Sequence, residues 1–339
     1  MKRILVIRFS SLGDVILTTQ ALKSIRQNFP QSEIHFLTKE EYKQILLWNP
    51  NVNKIITISN DAGFDELKRL KKHLGNYDLI VDLHNNFRSF YLRLFSPARK
   101  VVFKKYSLRK FLLVKFKINL MKGLPTIAER YISTLRPRFI GGSNPNNALP
   151  EIFTTPETIQ SLDSKLSRLS SLYSRLILIF PSAKHFTKTY PPEYFAELIN
   201  KFDAEKYLFA LVGKGNDKKN IDIIKTKTGK NVFDLCDQLN ALELFELMKR
   251  CSLVISGDTG PMHIAEAANV PLIMIAGSSV KEFGFYPQNE KAIIIENEEL
   301  KCRPCSHVGR SECPLRHFKC MKELKPESIL NEVKNLLLN

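Results

Sequence analysis

A short polar turn near the start of the chain carries a carboxylate that could move a proton. It is Ser10–Asp14, and it follows the apolar run Ile4–Phe9. Backbone amides at such a turn can receive a ligand's oxygens, and Gly13 leaves room for close approach, with Ser11 beside it. Asp14 then acts either as an acid–base group or as a cap on the helix that follows. The spacing alone supports both roles equally.

A second turn, Ser256–His263, follows another apolar run and has the features of a diphosphate site. Its glycines allow tight turning, Pro261 suits a first helical turn, and a helix start attracts negative charge. No Gly-Lys-Ser/Thr follows, so the turn is not a P-loop. The alternative is an ordinary strand-to-helix turn, capped by Asp258 or Thr259, in which His263 is a packed structural residue.

Two further loops carry polar groups that could hold a nucleotide. Phe180–Pro191 contains Lys188, which could neutralise a departing diphosphate, and Ser182, which could bond a phosphate oxygen. The loop Gly213–Asp217 could hold a ribose or a base. Taken alone, each pattern is more typical of a solvated loop.

Elements of alternating type must position these loops. Short apolar runs rich in β-branched residues alternate with amphipathic stretches, which predicts parallel sheets with crossover helices. The predicted strands are Ile4–Phe9, Ile34–Leu37, Ile55–Ile58, Leu79–Asp82, Leu176–Phe180, Tyr207–Val212, Leu253–Ser256 and Leu272–Ile275. A segment dense in Gly, Pro and Asn, Gly141–Thr158, reads as a linker between two doubly wound units. Such units bind ligands at the carboxyl ends of their strands, and we expect the two to face a cleft.

The chain is strongly basic, with a formal charge of +17 over 339 residues. Eleven Lys and Arg and no Asp or Glu lie between Arg88 and Lys122, interleaved with aromatic residues. This charge predicts an anionic partner: a nucleic acid, a membrane surface or a phosphorylated substrate. The absence of a long apolar run and of a signal-peptide pattern predicts a cytosolic protein.

Four of the six cysteines have C-x2-C-x7-C-x6-C spacing and could form a tetrahedral zinc or iron site. The alternatives are reduced thiols and, least favoured in the cytosol, disulfides. The four are Cys302, Cys305, Cys313 and Cys320.

Taken together, SSLGD, PSAKHFTKTYP, SGDTGPMHIAEAANVP and the Cys-rich tail resemble glycosyltransferase family 9, whose members include lipopolysaccharide heptosyltransferases. The resemblance runs over nearly the whole chain. It implies a glycosyltransferase B fold of two Rossmann-like domains, with an acceptor-binding domain at 1–150, a nucleotide-sugar domain at 151–325 and a terminal helix at 326–339. It also implies inversion without a catalytic metal ion.

Motif by motif, the resemblance assigns roles to individual residues. Asp14 matches the family's general base, and Ser182 and Lys188 match its diphosphate ligands. Asp217 falls where a carboxylate often meets the ribose, although the local match is poor. The donor loop comprises Asp258, Thr259, Gly260, Pro261, Met262 and His263, and the acceptor side comprises Ser11, Gly13, Asn86 and Arg88.

The resemblance therefore implies transfer of a heptose from ADP-heptose to an anionic glycolipid, the lipopolysaccharide core, at the cytoplasmic face of the inner membrane. Any metal at the four cysteines would be structural. We expect Val101–Phe103, flanked by Arg99, Lys100, Lys104 and Lys105, to meet the membrane. The rivals are transfer of another nucleotide sugar, a nucleotide-sugar epimerase or phosphorylase on the same fold, and a nucleic-acid-binding protein. We expect no specific nucleic-acid partner.

Overall fold

The protein is described by a computed structural model that covers residues 1–135, 149–167, 175–203, 205–230 and 232–338. Two compact units account for its internal packing. Unit 1 comprises 1–106 and 125–153, and unit 2 comprises 107–124 and 154–339. The sequence prediction placed 107–124 in the N-terminal domain, whereas in the structure this segment packs with unit 2. Eight of the 18 residues of the predicted linker, 141–148, lie outside the described residues, and its last three, 156–158, are not linker but the start of the helix Pro156–Lys165.

Unit 1 is built on a parallel sheet with the strand order β3-β2-β1-β4-β5. Residues 4–7 of β1 are at most 1% exposed, as expected when helices cover both faces of a parallel sheet. The strands are β1 (Arg3–Ile7), β2 (Glu33–Lys39), β3 (Lys54–Ile58), β4 (Leu79–Asp82) and β5 (Arg99–Val102).

The helices of unit 1 connect and cover these strands. The longest buries its apolar positions, including Val15, Ile16 and Leu22. The helices are α1 (Leu12–Asn28), α2 (Phe64–His73), α3 (Phe87–Arg93) and α5 (Ile127–Ser133). Because α1 begins at Leu12, the predicted turn glycine, Gly13, lies inside its first turn and is buried.

Unit 2 is built on a six-stranded parallel sheet in the order β11-β10-β9-β6-β7-β8. Its central strands are fully buried and rich in Leu and Ile. The strands are β6 (Leu176–Ile179), β7 (Leu208–Leu211), β8 (Val232–Asp234), β9 (Leu253–Gly257), β10 (Leu272–Ala276) and β11 (Ala292–Glu296). The apolar runs of the sequence predict no strand at β5, β8 or β11, which are edge strands of the two sheets.

Helices flank this second sheet too. They are α4 (Ser107–Phe116), α6 (Pro156–Lys165), α7 (Pro192–Asn200), α8 (Lys218–Lys227), α9 (Ala241–Met248), α10 (Gly260–Ala267), α11 (Lys319–Lys322) and α12 (Pro326–Leu338). Ile329 and Val333 of α12 are fully buried in the main core of unit 2. The C-terminal helix is therefore part of this unit rather than a separate one. No helix among the described residues is both long and apolar enough to cross a bilayer.

Each sheet reverses its strand order once. The reversal lies between β1 and β4 in unit 1, and between β6 and β9 in unit 2. Loops that leave such a pair of strands diverge, and ligands of doubly wound folds bind in the crevice that this creates. The predicted α/β class with two parallel sheets is confirmed. Most of the loops with candidate chemistry leave these four strands, whereas Gly213–Asp217 follows β7.

Candidate active site

Asp14, at the reversal point of unit 1, is a carboxylate with four hydrogen-bond or ion-pair contacts. Its Oδ1 is 2.6 Å from Arg8 Nη2 and accepts a 3.0 Å hydrogen bond from the Tyr131 hydroxyl. Its Oδ2 accepts from the Ser11 amide at 3.0 Å and from the Ser11 hydroxyl at 2.8 Å. The partners of the carboxylate are thus the residue that follows β1, the N-cap of α1 and a tyrosine of α5.

These partners also fix the charge of Asp14. Burial favours the neutral acid, but the positive charge of Arg8 and the hydrogen bonds from Ser11 outweigh it and lower the pKa of Asp14 to about 2. The bond from the Ser11 amide belongs to a capping box in which Ser11 is the N-cap and Asp14 the third helical residue. Asp14 therefore takes part in the cap without being the N-cap residue, and it is an anion at neutral pH.

Arg8 and His84 complete this region and were not identified from the sequence as partners of Asp14. Arg8 is 8% exposed and donates through Nη1 to the Leu83 carbonyl at 2.7 Å. Burial, followed by the positive charges of Arg8 and Lys105, lowers the pKa of His84 to about 3. His84 is therefore neutral, and its buried Nδ1 has no hydrogen-bond partner among the described residues.

The loop after β4 is shaped by a buried carboxylate. Asp82 Oδ1 accepts from the amides of His84 at 3.0 Å and Asn85 at 2.7 Å, and its Oδ2 bonds Arg93 Nε at 3.1 Å. Asn86, predicted to contact the acceptor, is the N-cap of α3, where its Oδ1 accepts from the Ser89 amide at 2.9 Å. Its side-chain oxygen therefore already has a structural role.

Arg88, the other predicted acceptor residue of this loop, lies in the first turn of α3 and is partly exposed. After burial and the charges of Arg8 and Lys105, the positive charge of Arg88 also lowers the pKa of His84. Arg88 thus remains a candidate for contact with an anionic acceptor. Ser11, which is exposed, is a second candidate.

In unit 2, Lys188 and Asp258 meet at the reversal point between β6 and β9. Lys188 Nζ donates to Asp258 Oδ2 at 2.6 Å, and the two side chains are 14% and 11% exposed. The backbone also approaches closely, because a Cβ on Gly257 would lie 2.9 Å from the Lys188 carbonyl oxygen. The structure therefore brings together two residues that the sequence placed in separate motifs 70 positions apart.

The start of α10 lies beside this ion pair and has the features of an anion site. Thr259 is the N-cap but makes no side-chain cap hydrogen bond; its hydroxyl pairs with that of Ser256 at 3.1 Å. Pro261 has no N–H group, so the first-turn amide that follows Gly260 and Pro261 is that of Met262. The N-cap side chain does not bond this amide. Ser182 is partly exposed, and its hydroxyl accepts from Asn220 at 3.0 Å.

Three of the predicted donor residues have structural partners. Met262 is fully buried, so its side chain is part of the core. His263 is 4% exposed and its Nδ1 is 3.0 Å from Glu266 Oε2, as in the alternative reading of a packed histidine. Asp217 Oδ2 accepts from the Lys214 amide at 2.9 Å and so closes the loop after β7.

Thr187, which the sequence analysis did not single out, ties three loops together beside Lys188. It is 1% exposed. Its hydroxyl accepts from the Arg310 amide at 2.9 Å and from the Ser278 hydroxyl at 3.1 Å, and its carbonyl accepts from the Ser278 amide at 3.2 Å. Thr187 thus joins the loop that carries Lys188 to the turn after β10 and to the Cys-rich segment.

The Cys-rich segment is folded against unit 2 without a closed metal site. The four cysteines are unpaired, and no cluster of three or more His, Cys, Asp or Glu side chains in the described ranges is arranged to hold a metal ion. Burial, and then the nearby thiols of Cys305, Cys313 and Cys302, raise the pKa of Cys320 to about 12. The predicted four-thiolate arrangement is therefore not formed, although the four thiols are near one another.

Comparisons with known proteins agree with this architecture. The sequence profile of glycosyltransferase family 9 (heptosyltransferase) matches residues 67–316. Lipooligosaccharide heptosyltransferase 2 of Campylobacter jejuni is 26% identical over 335 residues, which cover 97% of this chain and 96% of the relative.

Two solved structures share the fold. A family 9 glycosyltransferase from Veillonella parvula superposes with a TM-score of 0.82 at 22% identity and covers 99% of this chain and 97% of its own. The ADP-heptose lipopolysaccharide heptosyltransferase II of Escherichia coli gives 0.75 at 21% identity, with 100% and 99% covered. The chain is a glycosyltransferase and belongs to glycosyltransferase family 9, the heptosyltransferase family.

Proposed function

We propose that this glycosyltransferase moves a heptose from ADP-heptose to a hydroxyl group of a lipopolysaccharide core acceptor, with inversion and without a catalytic metal ion. The names of its relatives in C. jejuni and E. coli support the sugar, the donor and the acceptor class. The observation that carries the mechanism is the state of Asp14, an ionised carboxylate held at the reversal point of unit 1.

In the proposed reaction Asp14 receives the proton of the acceptor hydroxyl while that oxygen attacks the anomeric carbon. A single displacement inverts the configuration and needs one base on the acceptor side. Since the pKa of Asp14 is about 2, the carboxylate is a weak base towards a resting hydroxyl. Proton transfer therefore occurs late, when the new C–O bond has made the hydroxyl strongly acidic.

The leaving group is ADP, which departs with the electron pair of the broken C–O bond. Lys188 and the amide end of α10 are the groups in unit 2 suited to its negative charge. Lys188 is paired with Asp258 in this structure, so a bound diphosphate would share or replace that partner. Electrostatic stabilisation of this kind takes the place of a divalent ion.

A panel of nucleotide sugars tests the proposal. Melting temperatures are measured with ADP-, UDP-, GDP- and CMP-linked sugars, since a ligand that binds the folded state raises the transition. ADP-heptose is expected to give the largest rise, and heptose transfer is expected to persist in EDTA. A largest shift with another nucleotide would contradict the proposed donor, and activity lost in EDTA and restored by magnesium would contradict the metal-free mechanism.

The substitution Lys188→Gln tests whether this lysine binds the diphosphate of the donor. Loss of one charge-assisted contact, about 1.5–3 kcal/mol, should weaken ADP-heptose binding by about 10- to 150-fold. Lys184→Gln is the matched control, because Lys184 is an exposed lysine on the same loop. Equal effects of the two substitutions would mean that Lys188 contributes only general positive charge.

A further inference from the structure

The segment Ser107–Lys122 of unit 2 displays apolar and cationic side chains on one exposed surface. It comprises α4 and the turn that follows. Five of its large apolar side chains are 49–70% exposed, and two of them, Phe111 and Phe116, pack edge to face with ring centroids 5.9 Å apart. The five are Leu108, Phe111, Phe116, Ile118 and Leu120.

This segment is anchored, so its exposed surface is a fixed feature of the unit. Leu113 and Met121 are buried in a small core with Phe283. Lys117 Nζ donates to the carbonyls of Cys302 at 2.9 Å and Pro304 at 2.7 Å. Anchoring on one side therefore leaves the opposite apolar side chains in water, which costs free energy unless something covers them.

The charge of the segment identifies what could cover it. It carries five cations and no carboxylate. Lys117 serves the anchor, and the other cations are Arg109, Lys110, Lys115 and Lys122. Lysine is depleted in protein–protein interfaces, which disfavours a protein partner. Aliphatic residues such as Leu108, Ile118 and Leu120 cannot stack on bases, so a nucleic acid would leave them uncovered. An anionic lipid surface satisfies both features, since its headgroups meet the cations and its acyl boundary receives the apolar side chains.

We propose that Ser107–Lys122 is the surface by which this enzyme docks on an anionic membrane. The site differs from the one expected from the sequence, because Val101 and Phe103 are buried, at 8% and 5% exposure, in and just after strand β5. The docking proposal rests on the proposed function in one respect: a lipid-linked acceptor would explain why the enzyme binds a membrane. Membrane binding itself requires neither donor nor acceptor.

The charge contribution is tested by sedimentation with vesicles of phosphatidylglycerol and phosphatidylcholine. Each lysine at such a surface contributes a factor of about five to partitioning. Lys115→Gln with Lys122→Gln should therefore lower the partition coefficient by about 30-fold at low salt. The matched control is Lys219→Gln with Lys227→Gln, two exposed lysines on α8 that make the same change in net charge. Equal losses in both variants would overturn the proposal.

Insertion of the apolar side chains is tested separately. Phe111→Ser with Phe116→Ser should reduce vesicle binding at least tenfold, whereas Val308→Ser with Leu315→Ser, at exposed positions elsewhere in unit 2, should not. Because Trp48 is the only tryptophan, Trp48→Phe with Phe111→Trp gives a single reporter. Its emission should shift to the blue on anionic vesicles and be quenched by brominated lipid. No shift, or loss of self-association instead of vesicle binding in the serine variant, would overturn the proposal.

The same variants separate this inference from the proposed function. Heptose transfer from ADP-heptose to a delipidated, soluble core oligosaccharide should proceed at wild-type rates in the Phe111→Ser, Phe116→Ser variant. If transfer fails in the wild type while vesicle binding still depends on these phenylalanines, the proposed reaction is wrong and the docking surface stands. Tighter, salt-resistant binding to RNA or DNA than to vesicles would favour a nucleic-acid partner and overturn the docking proposal.

Discussion

The reversal points of the two units hold their charged groups in different ways. In unit 1, Asp14 is surrounded by a buried arginine, a tyrosine hydroxyl and two groups of Ser11. In unit 2, Lys188 is paired with Asp258 beside a helix start that lacks a side-chain cap. The first arrangement fixes a charge state before any ligand arrives. The second pairs a cation with an internal anion, and in the proposed reaction a ligand's phosphate shares or replaces that anion.

This difference implies that the two regions respond differently to substitution. A change at Asp14 alters chemistry and stability together, since the same carboxylate serves Arg8 and the start of α1. A change near Lys188 alters ligand affinity first.

The largest effect is expected from Asp14→Asn. An amide cannot accept the proton, so kcat per folded molecule should fall by about 10²- to 10⁴-fold while the KM for the donor changes little. The substitution also leaves the buried Arg8 without its anion, which should lower the melting temperature. Kinetics must therefore be normalised to the folded fraction, measured by circular dichroism.

Tyr131→Phe is the matched control for that experiment. It removes one hydrogen bond to Asp14 Oδ1 but keeps the charge, so kcat should stay within about tenfold of wild type. If Asp14→Asn lowers the melting temperature yet keeps a normal kcat per folded molecule, the carboxylate serves the capping box and has no part in proton transfer.

An intermediate effect is expected from His84, through the dependence of stability on pH. Its pKa is about 3 in the folded protein and 6.5 in the unfolded chain, so the unfolded state binds more protons between these values. Stability must then fall as pH drops below about 6.5, by up to about 2 kcal/mol at pH 5. His84→Gln should remove this loss in urea unfolding curves at pH 7.5 and 5.0.

Two controls isolate the contribution of His84. His73→Gln changes an exposed histidine and should leave the loss between pH 7.5 and 5.0 unchanged. Asp14 does not interfere, because its pKa falls from 3.8 to about 2 on folding. Its stabilising contribution is complete above about pH 4 and is lost only at lower pH. An unchanged loss in His84→Gln would show that the imidazole is accessible to protons in the folded state.

Local sequence patterns predicted the central strands and several site residues. The features that they did not predict depend on contacts between residues far apart in the sequence. Alternating apolar runs located the central strands, and turn composition located Asp14, Lys188 and Asp258 at strand ends. The partnership of Asp14 with Tyr131 spans 117 positions and leaves no trace in local spacing. The edge strand β5 carries four Lys or Arg in and around it, which suggested a surface segment and concealed the burial of its apolar residues.

The assignment of 107–124 to a unit failed for a related reason. Its place in the sequence suggested the N-terminal domain, but Leu113 and Met121 are buried with Phe283, more than 150 residues later. Nothing in the composition of α4 specifies that partner. Position along the chain is therefore a weaker guide than the core that an apolar face joins.

The smallest effect is expected from Thr187→Val. This substitution tests whether the reversal point of unit 2 depends on neutral hydrogen bonds, as that of unit 1 depends on charge. Valine has nearly the same shape but lacks the hydroxyl that bonds the Arg310 amide and the Ser278 hydroxyl. Loss of these two bonds should loosen the loop that carries Lys188 and weaken donor binding by about 1–1.5 kcal/mol, which raises the donor KM by about 5- to 12-fold. Because Asp14 is untouched, kcat should stay within about twofold. Thr187→Ser restores the hydroxyl and should restore the KM, whereas a lower melting temperature with an unchanged KM would make Thr187 a purely structural residue.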